Sequence, residues 1–574
     1  MKSRNWRPHN LFPHLSMCFA DTASVTMNQN EWKNQQTLLL PEECEKKGEV
    51  IRNGDCAEGS SKRADLEDVL AESVGEWGWF QTWIGAIFFF CQATMAPGVY
   101  AALFTDFTPK HYCVNRSEEE FNMTVWDLLE TEERRCGEGC QEWAFDQSVF
   151  QSTASSEFNI VCDQAVLKAL SNTFRMSGLL VGSFFFGWLS DKCGRVVSIT
   201  TSGIILVISQ ALNGLSNSYI MFAILNIFMA AGGVGSHLVS FVLQFEWSCP
   251  KYRSKASVFA QVPFAVGFLY VVFLSWCLRS SWRTLQWVIA APNLLFLLFP
   301  LLLPESPRWL LSKGRGSAAL ASITTAAKSN KLPEPAESLV LNKLVEGEEK
   351  GIGSLAHQPR LVFRLFIMSL NWIVITLCYY GLSMNSGNQD LFIGLGTMAG
   401  VELVAFLTTM FFMDACGRQS ILSRCQMLGG ISCICAGFTP LTYFWVRFAL
   451  ALVGKAGASA CFAVVFVYTA EMFPTPIRNS AVGICSTVAR IGALSAPTIA
   501  DLDSVYPPLP FLIMGGGAVV VASLSCLLPE TRGIVLPETI EEAAALQAGH
   551  CGQKSNAGGM LVTQPTSETT FFTF

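Results

Sequence analysis

The stretch Gly187-Trp188-Leu189-Ser190-Asp191-Lys192-Cys193-Gly194-Arg195 sets two basic residues, one acid and two glycines into nine positions between two apolar runs. A shorter form, Asp414-Ala415-Cys416-Gly417-Arg418, returns 223 residues later (191 to 414). Two further sets repeat in the same order. Glu246, Pro250 and Arg253 are echoed by Glu471, Pro474 and Arg478, with a Glu-to-Arg spacing of seven in both. Pro304-Glu305-Ser306 is echoed by Pro529-Glu530-Thr531. The three offsets are 223, 225 and 225. Three matches in one order argue for a duplicated chain.

Composition puts that duplication in a membrane. Of 574 residues, 51% are hydrophobic and 15% charged, against roughly 25% charged in a soluble domain. Mean hydropathy is +0.36. The net charge of -6 leaves no nucleic-acid footprint. No secretory signal peptide is read, because the first apolar run begins near Trp77 after a polar tail, residues 1–75. That tail lacks apolar periodicity and is expected to be a mostly disordered cytosolic segment.

Apolar runs of about 20 residues, the length that crosses a bilayer as a helix, follow at 80–104, 167–188, 197–215, 219–244, 257–277 and 285–303. A polar, partly helical stretch at 304–360 interrupts them. Six more follow at 363–384, 391–413, 420–438, 441–469, 480–500 and 510–528. The expectation is an all-helical membrane protein of twelve spans in two six-helix halves. The domain limits are a tail 1–75, halves 76–303 and 361–532, a central loop 304–360 and a tail 533–574.

Lys and Arg in short loops set orientation. Lys192 and Arg195 follow the second span, and Lys251, Arg253 and Lys255 the fourth. Arg308, Lys313 and Arg315 follow the sixth, Arg418 the eighth and Arg478 the tenth. Both termini are therefore expected in the cytosol and the stretch 105–166 outside. That stretch holds the sequons Asn115-Arg116-Ser117 and Asn122-Met123-Thr124 and four cysteines, Cys113, Cys136, Cys140 and Cys162. They predict a glycosylated loop with two disulfides, whose pairing the sequence leaves open. The C-terminal Phe572-Thr573-Phe574 fits capture by a PDZ-type partner.

The Gly-x-Leu-Ser-Asp-Lys-x-Gly-Arg loop between two six-helix halves resembles the major facilitator superfamily. Pro304-Glu305-Ser306-Pro307-Arg308-Trp309-Leu310 is similar to the signature of the organic ion transporters, solute carrier family 22. So are Trp282-Arg283-x-Leu285-Gln286, Tyr379-Tyr380-Gly381-Leu382, and the run from Lys455 through Tyr468-Thr469-Ala470-Glu471 and Pro474-Thr475 to Arg478. Gly75-Glu76-Trp77-Gly78-x-Phe80-Gln81 resembles the start of the organic cation/carnitine branch. The chain departs from the family at Val196, where a basic residue is usual, and at Asn226, where the cation and anion branches often carry Arg. The carnitine branch resembles a sodium-coupled carrier with an Asn in the first span. Here Gln92-Ala93-Thr94-Met95 lacks it, which argues against sodium coupling. No other cofactor and no metal is expected.

The resemblance implies a plasma-membrane carrier of small organic ions, carnitine-like zwitterions or cations, working by alternating access. Intramembrane charge is functional by default. Arg490, in the eleventh span, suits a bidentate grip on a carboxylate or a pairing with Glu402. Glu402 either faces the cavity or neutralises Arg490 or Lys455. Lys455 either contacts an anion or pairs with Glu402. Trp372, Tyr379, Tyr380, Phe466, Tyr468 and Phe264 are candidates for an aromatic cage around a quaternary ammonium. Tyr380 and Tyr468 lead because the resemblance puts them at cavity positions. His237 is either a polar cavity group or a helix-packing residue. Asp191, Arg195, Glu246 and Arg253, with Asp414, Arg418, Glu471 and Arg478, are candidates for gating ion pairs at the closed inner face, or serve only to set topology. The alternatives are an organic anion exchanger and a non-transporting receptor on a carrier scaffold. No phosphate loop, metal spacing or nucleophile constellation points to an enzyme.

Overall fold

A computed structural model describes residues 66–75, 77–113, 143–248, 259–335, 358–384, 391–533, 537 and 540–546. Twelve membrane-length or shorter apolar helices run through them. In the first half these are α1 (Trp79–Tyr100), α2 (Val166–Cys193), α3 (Arg195–Asn213), α4 (Tyr219–Trp247), α5 (Val262–Cys277) and α6 (Trp282–Asn293). In the second they are α7 (Pro359–Met384), α8 (Leu391–Cys416), α9 (Arg418–Phe438), α10 (Phe444–Met472), α11 (Thr475–Asp501) and α12 (Leu509–Ser525).

The contacts repeat under a shift of six. In the first half α1 packs on α4 and α5, α4 on α2 and α3, and α3 on α6. In the second α7 packs on α10 and α11, α10 on α8 and α9, and α9 on α12. The halves are joined by α2 against α11 and α5 against α8, which the same shift exchanges. The repeated sequence motifs therefore correspond to a repeated packing scheme.

The joint apolar core takes Tyr100 from the end of α1, Phe104 just beyond it and Met176 and Leu179 from the middle of α2, with Leu395 and Met398 of α8. A separate cluster around Phe80, Ile84, Trp247, Phe296 and Trp309 belongs to the first half alone. The halves thus close on one another at the ends remote from the Arg195 and Arg418 loops. There Phe104 stacks on Phe392 at 6.0 Å and Phe150 meets Phe392 edge-on at 5.6 Å.

Several boundaries differ from the sequence expectation. The second span runs on through Ser190-Asp191-Lys192 until Gly194, at φ +107°, ends it. The sixth breaks after Pro292, which lacks an N–H, into a 3-10 turn at Leu294–Leu298 and a last turn at Phe299–Leu302. The unstructured tail expected through residue 75 fails at its end. Leu66–Ser73 is helical, and Val69, Leu70 and Val74 fall on one buried face against Phe80, Trp309 and Ile323. The polar C-terminal tail likewise forms the helix Ile540–Ala545, whose Ala543 and Leu546 carbonyls accept from Arg364 of α7.

The central stretch is helical at Pro307–Ser312 and Gly316–Asn330. Asn330 ties it to the first half. Its Oδ1 accepts from the Phe80 N–H at 2.7 Å, and its Nδ2 donates to the Val74 carbonyl at 2.7 Å and Gln81 Oε1 at 2.8 Å. Gln81 returns to Gly78 N–H and the Gly75 carbonyl. The Gly75–Gln81 segment is thus a buried polar knot that starts α1.

On the remote face, His111–Cys113 (β1) pairs antiparallel with Trp143–Phe145 (β2). Cys162 is disulfide-bonded. Asn115, Asn122, Cys136, Cys140, Arg253 and Phe572-Thr573-Phe574 lie outside the described residues. The short helix Ala154–Glu157 is clamped to α6, where Glu157 accepts from Trp282 Nε1 at 2.8 Å and from Arg283. Partial burial raises the Glu157 carboxyl, but the Arg283 and Trp282 bonds outweigh it and hold it below its usual range. A depressed carboxyl contributes stability above its unfolded value and loses it as pH falls through the folded one. Glu157→Gln is therefore expected to lose less thermal stability than wild type between about pH 7 and about pH 4, read as the shift in unfolding midpoint. Equal losses would remove the clamp from the account.

Candidate functional site

The face of α7 that looks into the molecule carries Trp372, Tyr379 and Ser383, spaced by seven and four so that they stack on one side of the helix. Lys455 of α10 reaches this face. Its ammonium is ion-paired to Glu402 of α8 at 2.8 Å, and both side chains are fully buried. It donates to Ser383 Oγ at 2.9 Å and to the Tyr379 carbonyl at 3.2 Å, and stands 3.6 Å from the centre of the Tyr379 ring. The Tyr379 hydroxyl donates to Glu402. An ammonium has three donors; two are hydrogen-bonded to Ser383 and Tyr379, and the Glu402 carboxylate lies within ion-pair distance. Of the two expectations for Lys455, an anion contact or a pairing with Glu402, the structure has the pairing, and Lys455 forms a clip between α7, α8 and α10. Glu402 is turned to Lys455 and Tyr379, not to Arg490.

Arg490 of α11 is placed differently. It lies within electrostatic range of Tyr380 on α7 and of His237 on α4, across the interface between the halves. Its Nε is buried without a hydrogen-bond partner, and among the described residues it forms no ion pair with a carboxylate. His237 Nδ1 is bonded to Gln92 of α1, whose Nε2 is buried and unpartnered. Four polar side chains from four helices thus converge: Gln92 and His237 from the first half, Tyr380 and Arg490 from the second. This hydrogen bond ties α4 to α1 within the first half.

Aromatic rings line the approach to Lys455 and Tyr380. Tyr379 stacks on Phe462 at 4.9 Å and meets Tyr380 edge-on at 5.2 Å. Phe264 lies 6.4 Å from Tyr379 and 5.7 Å from Tyr100, which stacks on Phe268 at 3.7 Å. Trp372 donates to Thr469 Oγ1 at 3.1 Å and meets Phe466 edge-on at 4.3 Å. Phe466 reaches Phe241 of α4 at 6.3 Å, a second contact between the halves.

Tyr468 is a correction. Expected in the cage with Tyr380, it is wholly buried with its hydroxyl donating to the Pro529 carbonyl at 2.6 Å. It binds the Pro-Glu-Thr turn and faces away from Phe466, two residues back on the helix. Sequence reasoning missed Tyr100, Phe268 and Phe462. A tyrosine inside the first apolar run was the available signal, since a membrane hydroxyl needs a polar neighbour; its hydroxyl lies near Tyr379, Tyr380 and Glu402.

The expected gate residues assemble into two like constructions. Arg195 pairs with Asp191 and with Glu246, both at 2.8 Å. The Glu305 carboxylate accepts from the Arg195 and Val196 N–H groups at 2.9 and 3.2 Å, capping α3. Burial pushes the Glu305 carboxyl above its usual range, offset by the N–H groups of Ser306, Arg195 and Val196. In the second half Arg418 pairs with Asp414 and Glu471, both at 3.1 Å, and Glu530 accepts from the Arg418 N–H at 2.8 Å, capping α9. Gly194 and Gly417 have φ of +107° and +90°, and a Cβ at either would strike the carboxylate of Glu305 or Glu530. Arg478 donates to the Phe473 carbonyl at 3.2 Å. Among the described residues, the Gly-Arg loop, the Glu246 or Glu471 position and the Pro-Glu turn form one structural unit used twice.

Residues 98–543 match the family described as "Sugar (and other) transporter". An organic cation transporter protein of Drosophila melanogaster is 30% identical over 516 residues, covering 83% of this chain and 94% of its own length. A solute carrier family 22 member 15-like protein of Xenopus laevis is 31% identical over 486 residues, covering 83% and 96%. The chain belongs to solute carrier family 22. It is a multi-pass membrane transporter, not an enzyme. The fold agrees with that of the proton:xylose symporter XylE, a major facilitator protein, at TM-score 0.57 and 19% identity over 82% of this chain and 99% of that one.

Proposed function

We propose that this carrier moves small organic ions bearing a carboxylate, carnitine-like zwitterions first among them, by alternating access. One observation carries the reading: Arg490 is a guanidinium at the meeting of the halves with a buried, unpartnered Nε and, among the described residues, no carboxylate partner. A buried charge of this kind is costly until it is paired, and a substrate carboxylate supplies the pair. Tyr380, within electrostatic range of Arg490, offers a ring suited to a quaternary ammonium, with Tyr379 edge-on to it at 5.2 Å; the Tyr379 ring itself is taken up by Lys455 and Phe462. Because Lys455 and Glu402 neutralise one another, Arg490 sets the sign of the site among the described residues.

The Arg195 and Arg418 constructions act as the gate of the basic face, placed in the cytosol with both termini; the Phe104–Phe392 closure faces outward at the plasma membrane. Asp191 and Asp414 are the partners that can let go, since they stay exposed while Glu246 and Glu471 are mostly buried. Sodium is given no part, because the first span reads Gln92-Ala93-Thr94-Met95 and lacks the Asn of the carnitine branch.

Uptake of labelled carnitine and labelled p-aminohippurate into cells expressing the protein, with and without sodium, tests this reading. Saturable carnitine uptake supports it. Uptake of p-aminohippurate alone moves the protein to an organic anion exchanger, the second reading that the unopposed Arg490 favours. Uptake of neither, with the protein at the surface, refutes both.

A further inference from the structure

The bond between Gln92 of α1 and His237 of α4 leaves one end of the Gln92 side chain unused. Its Oε1 is the atom bonded to His237 Nδ1. A carbonyl oxygen only accepts, so His237 Nδ1 carries the hydrogen, and the Gln92 amide is turned with its NH2 group away from the ring. That Nε2 is buried without a hydrogen-bond partner, and Gln92 is 1% exposed. The amide hydrogens thus stand idle inside an apolar span, Trp79–Thr105, where an unmade hydrogen bond is costly.

Ring contacts set this amide between the two halves. Phe88 precedes Gln92 by one turn on α1, and Phe241 follows His237 by one turn on α4, so each ring shares a helix face with its polar neighbour. Phe88 and Phe241 lie 6.2 Å apart. Phe241 is 6.3 Å from Phe466 of α10, which meets Trp372 of α7 at 4.3 Å. This row of rings crosses from one half to the other on the side of Gln92 nearer the Arg195 and Arg418 loops. A second crossing lies on its other side. Tyr100, about 12 Å further along α1, is 5.7 Å from Phe264, and Phe264 is 6.4 Å from Tyr379 of α7. The Gln92 amide occupies the layer between the two crossings. Arg490 enters the same layer from α11, within electrostatic range of His237, and its buried Nε is a second idle donor.

We propose that Gln92 is a substrate contact of the first half: its Nε2 donates to the carboxylate that Arg490 holds from the second half, and His237 is the positioning residue that turns the amide. This rests on the carboxylate reading of Arg490 and adds the partner from the opposite half. A carboxylate only accepts and offers about four lone-pair sites. The groups left idle here are donors, one amide and one guanidinium. Gln92 is uncharged, so the charge balance between Arg490 and the carboxylate is kept while the hydrogen bonds are shared. A carboxylate bonded to α1 on one side and α11 on the other ties the halves together, and it favours the state in which both helices reach it.

Two substitutions separate this role from that of a strut between α1 and α4. Gln92→Glu keeps an oxygen for His237 Nδ1, loses both amide donors and sets a second carboxylate against that of the substrate. Gln92→Met keeps the length, adds no charge, and loses the donors together with the bond to His237. Uptake is measured over a range of concentrations in cells matched for surface level, with labelled carnitine, or with labelled p-aminohippurate if that is the carboxylate the wild type takes up. KM is expected to rise by roughly 10- to 100-fold in Gln92→Met and by more in Gln92→Glu, where like charges meet, with the maximal rate little changed. A strut gives the reverse order, with Gln92→Glu near wild type and Gln92→Met the worse. That reverse order, or a KM unmoved in Gln92→Glu, overturns the proposal and leaves the reading of Arg490 standing. Wild-type cells that take up neither compound overturn both. Where neither variant reaches the surface, a structure of the wild type with its carboxylate substrate decides. A carboxylate oxygen within about 3.2 Å of Gln92 Nε2 supports the proposal, and a carboxylate seated on Arg490 with Nε2 out of reach overturns it.

Discussion

Lys455→Met is expected to be the most damaging single substitution in the second half. It strands Glu402 as a fully buried carboxylate with only the Tyr379 hydroxyl for company. Removing one member of a buried pair costs about 3–5 kcal/mol, a large share of the stability a folded domain has to spare. The variant should be retained in the cell, or be purified with a strongly lowered unfolding midpoint. The double variant Lys455→Met/Glu402→Leu removes both charges and is expected to recover most of that midpoint. A double variant as unstable as the single one would mean that the clip between α7, α8 and α10 is held by something other than charge.

The second large effect belongs to Arg490. Arg490→Ala keeps the surrounding packing but removes the only unpaired cation among the four converging side chains. A hydrogen bond to a charged group contributes about 1.5–3 kcal/mol, so the loss of carboxylate binding is expected to raise KM for a carboxylate substrate by roughly 10- to 100-fold. Arg490→Lys keeps the charge but lacks the planar fork, and should fall between. Uptake of a permanently cationic compound with no carboxylate should not fall in either variant. Carboxylate uptake unchanged in Arg490→Ala, at equal surface level, would take Arg490 out of the site.

The gate motifs were legible because each depends on a residue type that nothing else replaces. A glycine must stand at 194 and 417, and a glutamate must reach the N–H groups beyond it. The face on which a side chain lies was not legible inside an apolar run. Tyr468 looked like Tyr380 in sequence, yet its partner is a carbonyl at Pro529, 61 residues on. Lys455 and Glu402 were legible as charges but their choice of partner was not, since Arg490 was an equal candidate until α8 and α11 were placed. The helix Leu66–Ser73 escaped because its apolar face is narrow and much of what it packs on, Trp309 and Ile323, comes more than 230 residues later (from 74 to 309).

The position of the capping glutamates bears on how the protein is made. Glu305 and Glu530 each close a helix of their own half, and each comes after the sixth span of that half. Asn330, the last such tie of the first half among the described residues, also precedes α7. By the time the ribosome reaches Pro359, every residue that these bonds require of the first half has been synthesised. The first half can therefore complete its fold at the translocon before the second begins. A chain supplied as two pieces, parted between residues 335 and 358, should reassemble by way of α2 with α11 and α5 with α8.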